Sequence, residues 1–235
     1  MILLLFTCSQ ARMEHLWETA RLWRAGENVE RVDAARDSLK RCPQAVSWLF
    51  RTKIYEKDRF GIRAIRDMFM GNYARTLPYL KEVLLSTDVQ GVKNALYLIR
   101  EWRVKELGDV LWQIIPRYDD RPSMLSNIIY GVGLSGDSTL AKYIADFLEH
   151  PDELIRYRTV QALGRMHAYQ YIPSIIMHLD DAHAFVRYES CRVLYSWREK
   201  SFGQVRKFAR NSIGSSRFRL FLMYTLKGMC GGNGE

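Results

Sequence analysis

The chain lacks the features of several protein classes. Its 235 residues include six prolines and no Ser- or Pro-rich stretch, which argues against a disordered linker. No segment approaches the roughly 18 consecutive apolar residues of a membrane-spanning helix. The four cysteines form no C-x-x-C motif and do not have the spacing of a disulfide scaffold. We therefore expect a globular, cytoplasmic protein with reduced thiols.

Motifs for catalysis or ligand binding are also weak. Residues 131–136 satisfy G-x-G-x-x-G, but the preceding residues 124–130 fit a helix better than the strand that a dinucleotide site requires. His167, His178 and His183 lie close together in sequence, yet no two of them have the i, i+4 spacing of metal ligands on one helix. We expect no catalytic residue, no metal site and no cofactor.

The dominant feature that the sequence does contain is an internal repeat. Residues 140–166 and 171–197 are two copies of one unit set 31 residues apart. Each copy has an apolar-periodic segment, a polar break and a second apolar-periodic segment, which indicates two antiparallel helices. A fixed period of this size is typical of stacked helical pairs that share one core.

The same alternation extends in both directions. Upstream, the pattern predicts a first helix over Leu77–Leu85, its partner over Val89–Trp102 and the next first helix over Val104–Ile115. Downstream, it predicts a last pair over Gly203–Ile213 and Arg217–Leu226. The array therefore covers most of the chain.

Small residues recur where helices are expected to cross. Gly133 and Gly164 are equivalent in the 31-residue register, and Ala162 lies close by. We expect Ala162 and Gly164 to let helix backbones approach closely. The repeat thus accounts for the glycines of the apparent nucleotide motif.

The predicted organisation is a single continuous domain. Residues 1–72 form N-terminal helices, either degenerate repeats or a cap; 73–228 form the repeat array; and 229–235 form a flexible Gly-rich tail. Met1–Cys8 is expected to be a buried cap helix or, alternatively, the remnant of a signal with a processed or lipidated Cys8. Cys191 is expected to be a small core residue.

These residues resemble HEAT-like repeats, in particular the short repeats of the phycobilin lyases and of many bacterial proteins. The resemblance is carried by Ile155-Arg156, by Val186-Arg187 and by the Gly136-Asp137 turn. It implies an all-α fold, a right-handed α-solenoid of about five to six helix-turn-helix repeats.

The resemblance also implies a structural pair at each turn. In this family an Asp in the turn commonly pairs with the Arg six residues on, a spacing that Asp181 and Arg187 have. His150 replaces the Asp opposite Arg156, so a ladder of such pairs is expected to be interrupted there.

Charge is the strongest functional signal. The net charge of +9 is unevenly distributed, since residues 108–182 carry 6 basic and 10 acidic side chains whereas residues 183–235 carry 10 and 3. Second helices typically line the inner surface of a curved stack, and two equivalent tyrosines could form an aromatic row there. The candidate partner-binding residues are Tyr157, Tyr188, Arg192, Arg206, Arg210, Arg217 and Arg219.

Three functions are compatible with this sequence. A non-catalytic scaffold would bind another protein, one with an acidic surface, on the concave face or the basic C-terminal end. Alternatively, the basic patch would bind nucleic acid. A second alternative is an enzyme that resembles the bilin lyases or the helical-repeat DNA glycosylases. A cytoplasmic location is expected, and membrane attachment or export would require the apolar N-terminus.

Overall fold

The structure, a computed structural model, describes residues 8–211 and 216–227, apart from the side chains of Asn211 and Arg217. Within these residues it contains 13 α-helices and no β-strand, which confirms the predicted all-α class. The chain divides into two compact units, 1–103 and 104–235. The sequence places a boundary at 72/73 instead, and the single array over 73–228 remains a prediction because the division falls within it.

The first unit holds helices α1 to α6. Their bounds are Gln10–Ala20, Val29–Arg41, Ala45–Arg51, Arg59–Phe69, Leu77–Leu85 and Val89–Trp102. The last two pack against each other and have the predicted bounds. The Asp88 carboxylate accepts a hydrogen bond from the backbone N–H of Gly91, which fixes the start of α6.

The second unit holds helices α7 to α13, which pack in the order of a repeat stack. Their bounds are Gly108–Ile114, Pro122–Leu134, Glu153–Arg165, Ile172–Met177, Ala184–Ser196, Arg198–Asn211 and Ser216–Lys227. The second helices α8, α9, α11 and α13 each pack against the next, while α10 packs on α11, and α12 on α11 and α13. This unit therefore is an array of helical pairs that share one continuous core.

One predicted first helix differs in its winding. This region forms two 3₁₀ segments, Ser138–Tyr143 and Ala145–Glu149, which are separated by Ile144, whose backbone departs from helical geometry with φ −118°. Leu140 and Leu148 are nevertheless buried. The apolar pattern therefore correctly predicts what is buried but not the helix type.

The predicted close approach of helices at Ala162 and Gly164 is confirmed, and both contacts lie between successive second helices. A Cβ atom on Gly133 would lie 2.6 Å from the Cα atom of Ala162, and one on Gly164 would lie 2.6 Å from Cγ2 of Val193. Because Gly131 and Gly133 both lie inside α8, the G-x-G-x-x-G match is a helix-crossing surface.

The expectation of reduced thiols is wrong. Cys8 forms a disulfide with Cys42, 34 residues away, and Cys191 is also disulfide-bonded. The sulfur of Cys8 is thereby unavailable for lipid attachment. Cys191 is buried, as expected of a core residue, and accepts a hydrogen bond from the Thr225 hydroxyl. The expectations for residues 1–7 and for the Gly-rich tail lie outside the described residues.

None of the helices in the described part of the chain is long and apolar enough to cross a membrane.

The helix crossing predicts opposite effects of two Gly→Ala substitutions. Gly133→Ala should lower the free energy of unfolding by about 1–3 kcal/mol, because the added methyl group meets the backbone of Ala162. Gly203→Ala, in α12 with nothing within 4 Å, should raise it by about 0.5–1 kcal/mol through helix propensity. Urea unfolding measures both, and a neutral Gly133→Ala would contradict the tight crossing.

Candidate partner-binding face

The 31-residue register brings equivalent residues of the second helices into rows. The side of α8, α9, α11 and α13 that faces away from the core is called the second-helix face here. One row across it consists of Tyr130, Gln161, Arg192 and Met223. Since successive second helices are in contact, residues of one row lie on neighbouring helices.

Large apolar side chains are exposed on the second-helix face. Phe185 is 75% exposed and its repeat equivalent Leu154 is 43% exposed. Tyr188, one turn beyond Phe185, is 51% exposed, and Leu220 and Met223 on α13 are 45% and 50% exposed. Apolar groups exposed along adjacent helices are a mark of interaction sites in soluble proteins.

The ionisable side chains of this face are mainly basic. Its basic positions are Arg158, Arg165, Arg192, Arg219 and Lys227, and its carboxylate is Glu189. Glu189 is buried and bonds both of its oxygens to Arg192, and this hydrogen bonding raises the pKa of the Arg192 guanidinium. With the carboxylate neutralised, the face keeps a net positive charge.

Two arginines lie over one tyrosine ring where α9 meets α8. The guanidinium carbons of Arg158 and Arg165 are 4.7 and 4.2 Å from the ring centre of Tyr130. Arg158 donates to Oε1 of Gln161 at 2.7 Å, and Gln161 donates to the Tyr157 hydroxyl at 3.3 Å. These contacts hold the two cations in place on the face.

The structure brings together some of the predicted binding residues and separates others. Tyr157 lies near Arg192 and interacts with it electrostatically. Tyr188 makes an edge contact with Phe221 at 5.2 Å, and no ring contact joins it to Tyr157 among the described residues, so the two do not form a stacked row.

The basic residues of the last helices are divided between two layers. Arg219 is exposed on α13, on the second-helix face, whereas Arg206 and Arg210 are exposed on α12, in the first-helix layer. The side chain of Arg217 lies outside the described residues. The predicted C-terminal patch is therefore not one surface.

The predicted binding residues do not include several residues of this face, among them Tyr130, Leu154, Arg158, Arg165 and Phe185. The signal was available, because the register aligns Leu154 with Phe185 and places Tyr130 in the row of Arg192. Net charge counted along the chain hides these basic residues, because residues 108–182 as a whole are acidic.

The Asp181 carboxylate has a partner that the sequence did not predict. Arg187 does contact Asp181, but it donates to the carbonyl oxygens of Asp181 and Ala182, each at 2.8 Å. The carboxylate instead accepts two hydrogen bonds from Arg156, at 2.7 and 2.9 Å, in the preceding repeat. Arg156 and Arg187 thus each bind the carbonyl oxygens of their own turn, and Arg156 also binds the Asp181 carboxylate of the next turn.

This arrangement corrects the expected interruption at His150. Arg156 donates to the carbonyl oxygens of His150 and Pro151 at 2.8 and 2.9 Å, as Arg187 does in its own turn. The side chain at position 150 is not used for this contact, so replacing Asp by His leaves it intact.

The histidines have separate roles. Both ring nitrogens of buried His178 lie 2.8 Å from carbonyl oxygens, those of Ser174 and Leu148. His167 and His183 are exposed. In the described part of the chain, no three His, Cys, Asp or Glu side chains are grouped as metal ligands.

The first unit contains a polar cleft of about 490 Å³ whose charges are paired. Arg24 bonds Asp33 at 2.7 Å, Lys40 bonds Asp37 at 2.6 Å, and buried Arg36 bonds Asp67 at 3.2 Å. Because each of these cations has a carboxylate partner, the cleft offers no excess charge to a ligand.

Comparisons with known proteins give no family. No protein-family model matches the chain, and no curated protein matches its sequence. A designed armadillo repeat protein is 12% identical over 92% of this chain and 99% of its own, with a TM-score of 0.45. An engineered protein from a structural genomics consortium is 14% identical over 93% and 98%, with a TM-score of 0.46. Scores this low add nothing to the fold, which rests on the helix packing above.

The pair between turns predicts a pH-dependent loss of stability. Burial alone would raise the pKa of Asp181, but hydrogen bonds from Arg156 and from the backbone N–H of His183 lower it on balance. Its stabilising contribution is therefore present above the unfolded pKa of about 3.9 and is lost as the pH falls through the lower, folded value.

Asp181→Asn should lower the free energy of unfolding by about 2–3 kcal/mol at pH 7, because it leaves Arg156 without its charged partner. The difference from the unaltered protein should shrink in urea titrations below about pH 4. Asp120→Asn is the control, since that side chain is 82% exposed. A pH-independent difference would contradict the role of the Asp181 charge.

Proposed function

We propose that this protein is a non-catalytic scaffold of the HEAT-like type that binds an acidic protein partner on the second-helix face. The observation that carries the proposal is the combination on one face of exposed apolar side chains with arginines that outnumber carboxylates. Such a face matches the composition of protein interfaces, where aromatic residues and arginine contribute most of the binding energy.

The charges support an acidic partner. Arg219 is exposed, and no carboxylate of the described residues lies within ion-pair distance of it. The one carboxylate that the described residues contribute to the face, Glu189, is already bound to Arg192. A negatively charged partner would be steered to this surface, and a positive one would be repelled.

The apolar side chains favour a protein over nucleic acid. Leu154, Leu220 and Met223 are aliphatic and have no ring on which a base could stack. Surfaces that bind DNA are more polar than those that bind proteins. An enzyme would need convergent polar groups in a concave site, whereas the residues on which this proposal rests are spread over three helices.

Paired substitutions test the proposal by affinity purification from the native host. Phe185→Ser should weaken binding of a stoichiometric protein partner about 30-fold, as loss of an aromatic anchor does, and Arg219→Glu should slow association. The matched controls are Phe202→Ser, which removes a 47% exposed ring from α12, and Arg198→Glu on the same helix.

The assignment of binding to the second-helix face would be contradicted if the control variants lost partner binding equally. It would also be contradicted if Phe185→Ser lost none. Retention of nucleic acid instead of a protein, with affinity falling steeply as salt is added, would favour the alternative function.

We also propose an oxidising compartment, in place of the cytoplasmic location expected from the sequence. The Cys8–Cys42 disulfide supports it, because disulfides persist mainly in exported and secreted proteins. The apolar N-terminal segment agrees with export, but without a lipid on Cys8.

Thiol trapping in acid-quenched native cells tests the compartment. A maleimide reagent should label Cys8 and Cys42 only after reduction, whereas in the Cys42→Ser variant Cys8 should react without it. Labelling of both cysteines in the unaltered protein before reduction would place it in a reducing compartment.

A further inference from the structure

We infer that Tyr130, Arg158 and Arg165 form a carboxylate-binding subsite on the second-helix face, which holds an Asp or Glu side chain of the partner. This inference rests on the proposed function and assigns the acidic group of the partner to a defined position. It comes from a cluster of cations that the protein itself does not neutralise.

The first observation is that both guanidinium groups lack a charged partner. In the described part of the chain, no carboxylate lies within 4.0 Å of the nitrogens of Arg158 or Arg165, whereas other arginines, such as Arg21 and Arg192, do form such ion pairs. Both side chains are half-buried, so water screens their mutual repulsion less than it would at an exposed site. Two cations over one ring therefore favour an anion beside them.

The second observation is a set of unused hydrogen-bond donors. Nη1 of Arg165 is buried without a partner, and no other nitrogen of that group bonds to the described protein atoms. Arg158 uses one nitrogen, for Gln161, and leaves its others open. The Tyr130 hydroxyl also has no hydrogen bond to the described residues. Buried donors in folded proteins are normally bonded, so Nη1 of Arg165 indicates a missing acceptor, and the open nitrogens of Arg158 and the Tyr130 hydroxyl are further donors beside it.

The third observation is that the donors are held in position. Gln161 is 9% exposed and fixes Arg158 through its amide oxygen, while its amide nitrogen donates to Tyr157. The Tyr130 ring supports both guanidinium groups, at 4.7 and 4.2 Å. Because the guanidinium fork matches the two oxygens of a carboxylate, preorganised arginines bind this group well.

The surroundings favour a carboxylate of a protein over other anions. Exposed Leu154 lies one turn before Arg158 on α9. Exposed Phe185 is the repeat equivalent of Leu154 on the next second helix, α11. A partner with an acidic residue beside apolar ones would satisfy both parts of this surface. A free phosphate would use the cations alone.

Titration of the full-length protein with N-acetyl-glutamate N-methylamide tests the subsite directly. The Nε–Hε resonances of Arg158 and Arg165 should move together and saturate, whereas the neutral glutamine analogue should move neither. Arg165→Ala should weaken binding of this probe about tenfold, the value of one charged hydrogen bond. Arg165→Lys, which keeps the charge but not the fork, should weaken it less.

Arg198→Ala is the matched control, because Arg198 also lies over a tyrosine ring, 5.8 Å from the centre of Tyr195, but among the described residues no second arginine lies over that ring. Circular dichroism and thermal unfolding check that each variant folds. The subsite would be overturned if the Nε–Hε resonances of Arg158 and Arg165 showed no saturable shift, or if Arg198 shifted equally. Unchanged affinity of Arg165→Ala for the probe would overturn it as well. Inorganic phosphate bound tenfold more tightly than the probe would overturn the carboxylate assignment.

The partner recovered from the host separates this inference from the proposed function. If the double variant Arg158→Ala, Arg165→Ala loses the small probe but keeps the partner, the subsite is not the anchor and the scaffold function stands. If Phe185→Ser also keeps the partner, the proposed face itself is wrong, whatever the titration shows.

Discussion

The close crossing of successive second helices is the constraint on which the rest of the C-terminal unit depends. Where Gly133 meets Ala162, no larger side chain than hydrogen fits, and Gly164 has the same role against Val193. Each crossing fixes both the separation and the register of two helices. A fixed register, repeated every 31 residues, is what turns single exposed side chains into rows across a surface.

The turns explain why charge counted along the chain misleads. Asp137 and Asp152 accept hydrogen bonds from the backbone at the starts of helical segments, and Asp181 binds both the N–H of His183 and Arg156. These carboxylates are therefore already hydrogen-bonded within the repeats. Arg158 and Arg165 lie in the same acidic stretch of sequence but on the second-helix face of α9, where no carboxylate of the described residues forms an ion pair with them.

The sequence predicts features that follow from periodicity, such as helix bounds and burial. It does not predict pairs of side chains that meet only because of their distance in space. The bounds of α5 and α6, the crossing at Gly133 and the burial of Cys191 all follow from apolar spacing. The choice of Arg156 as the partner of Asp181 does not, since it depends on how far one turn lies from the next. The pairing of Cys8 with Cys42 similarly requires their positions in space.

The same row of the face has a different chemistry in each repeat, and this gives the proposed interface a direction. From α8 to α13 the equivalent residues are Tyr130, Gln161, Arg192 and Met223. Two adjacent arginines without an ion-pair partner, Arg158 and Arg165, lie at the α8–α9 end. Arg192 is already paired with Glu189, and α13 presents Leu220 and Met223 beside the single arginine Arg219. An extended partner that crosses these helices would therefore place its carboxylate at Tyr130 and its apolar residues toward α13. The reverse orientation would place the acidic group beside one arginine, Arg219, instead of two, and would leave Arg158 and Arg165 unmatched, so the order of residues in the partner is constrained as well as its composition.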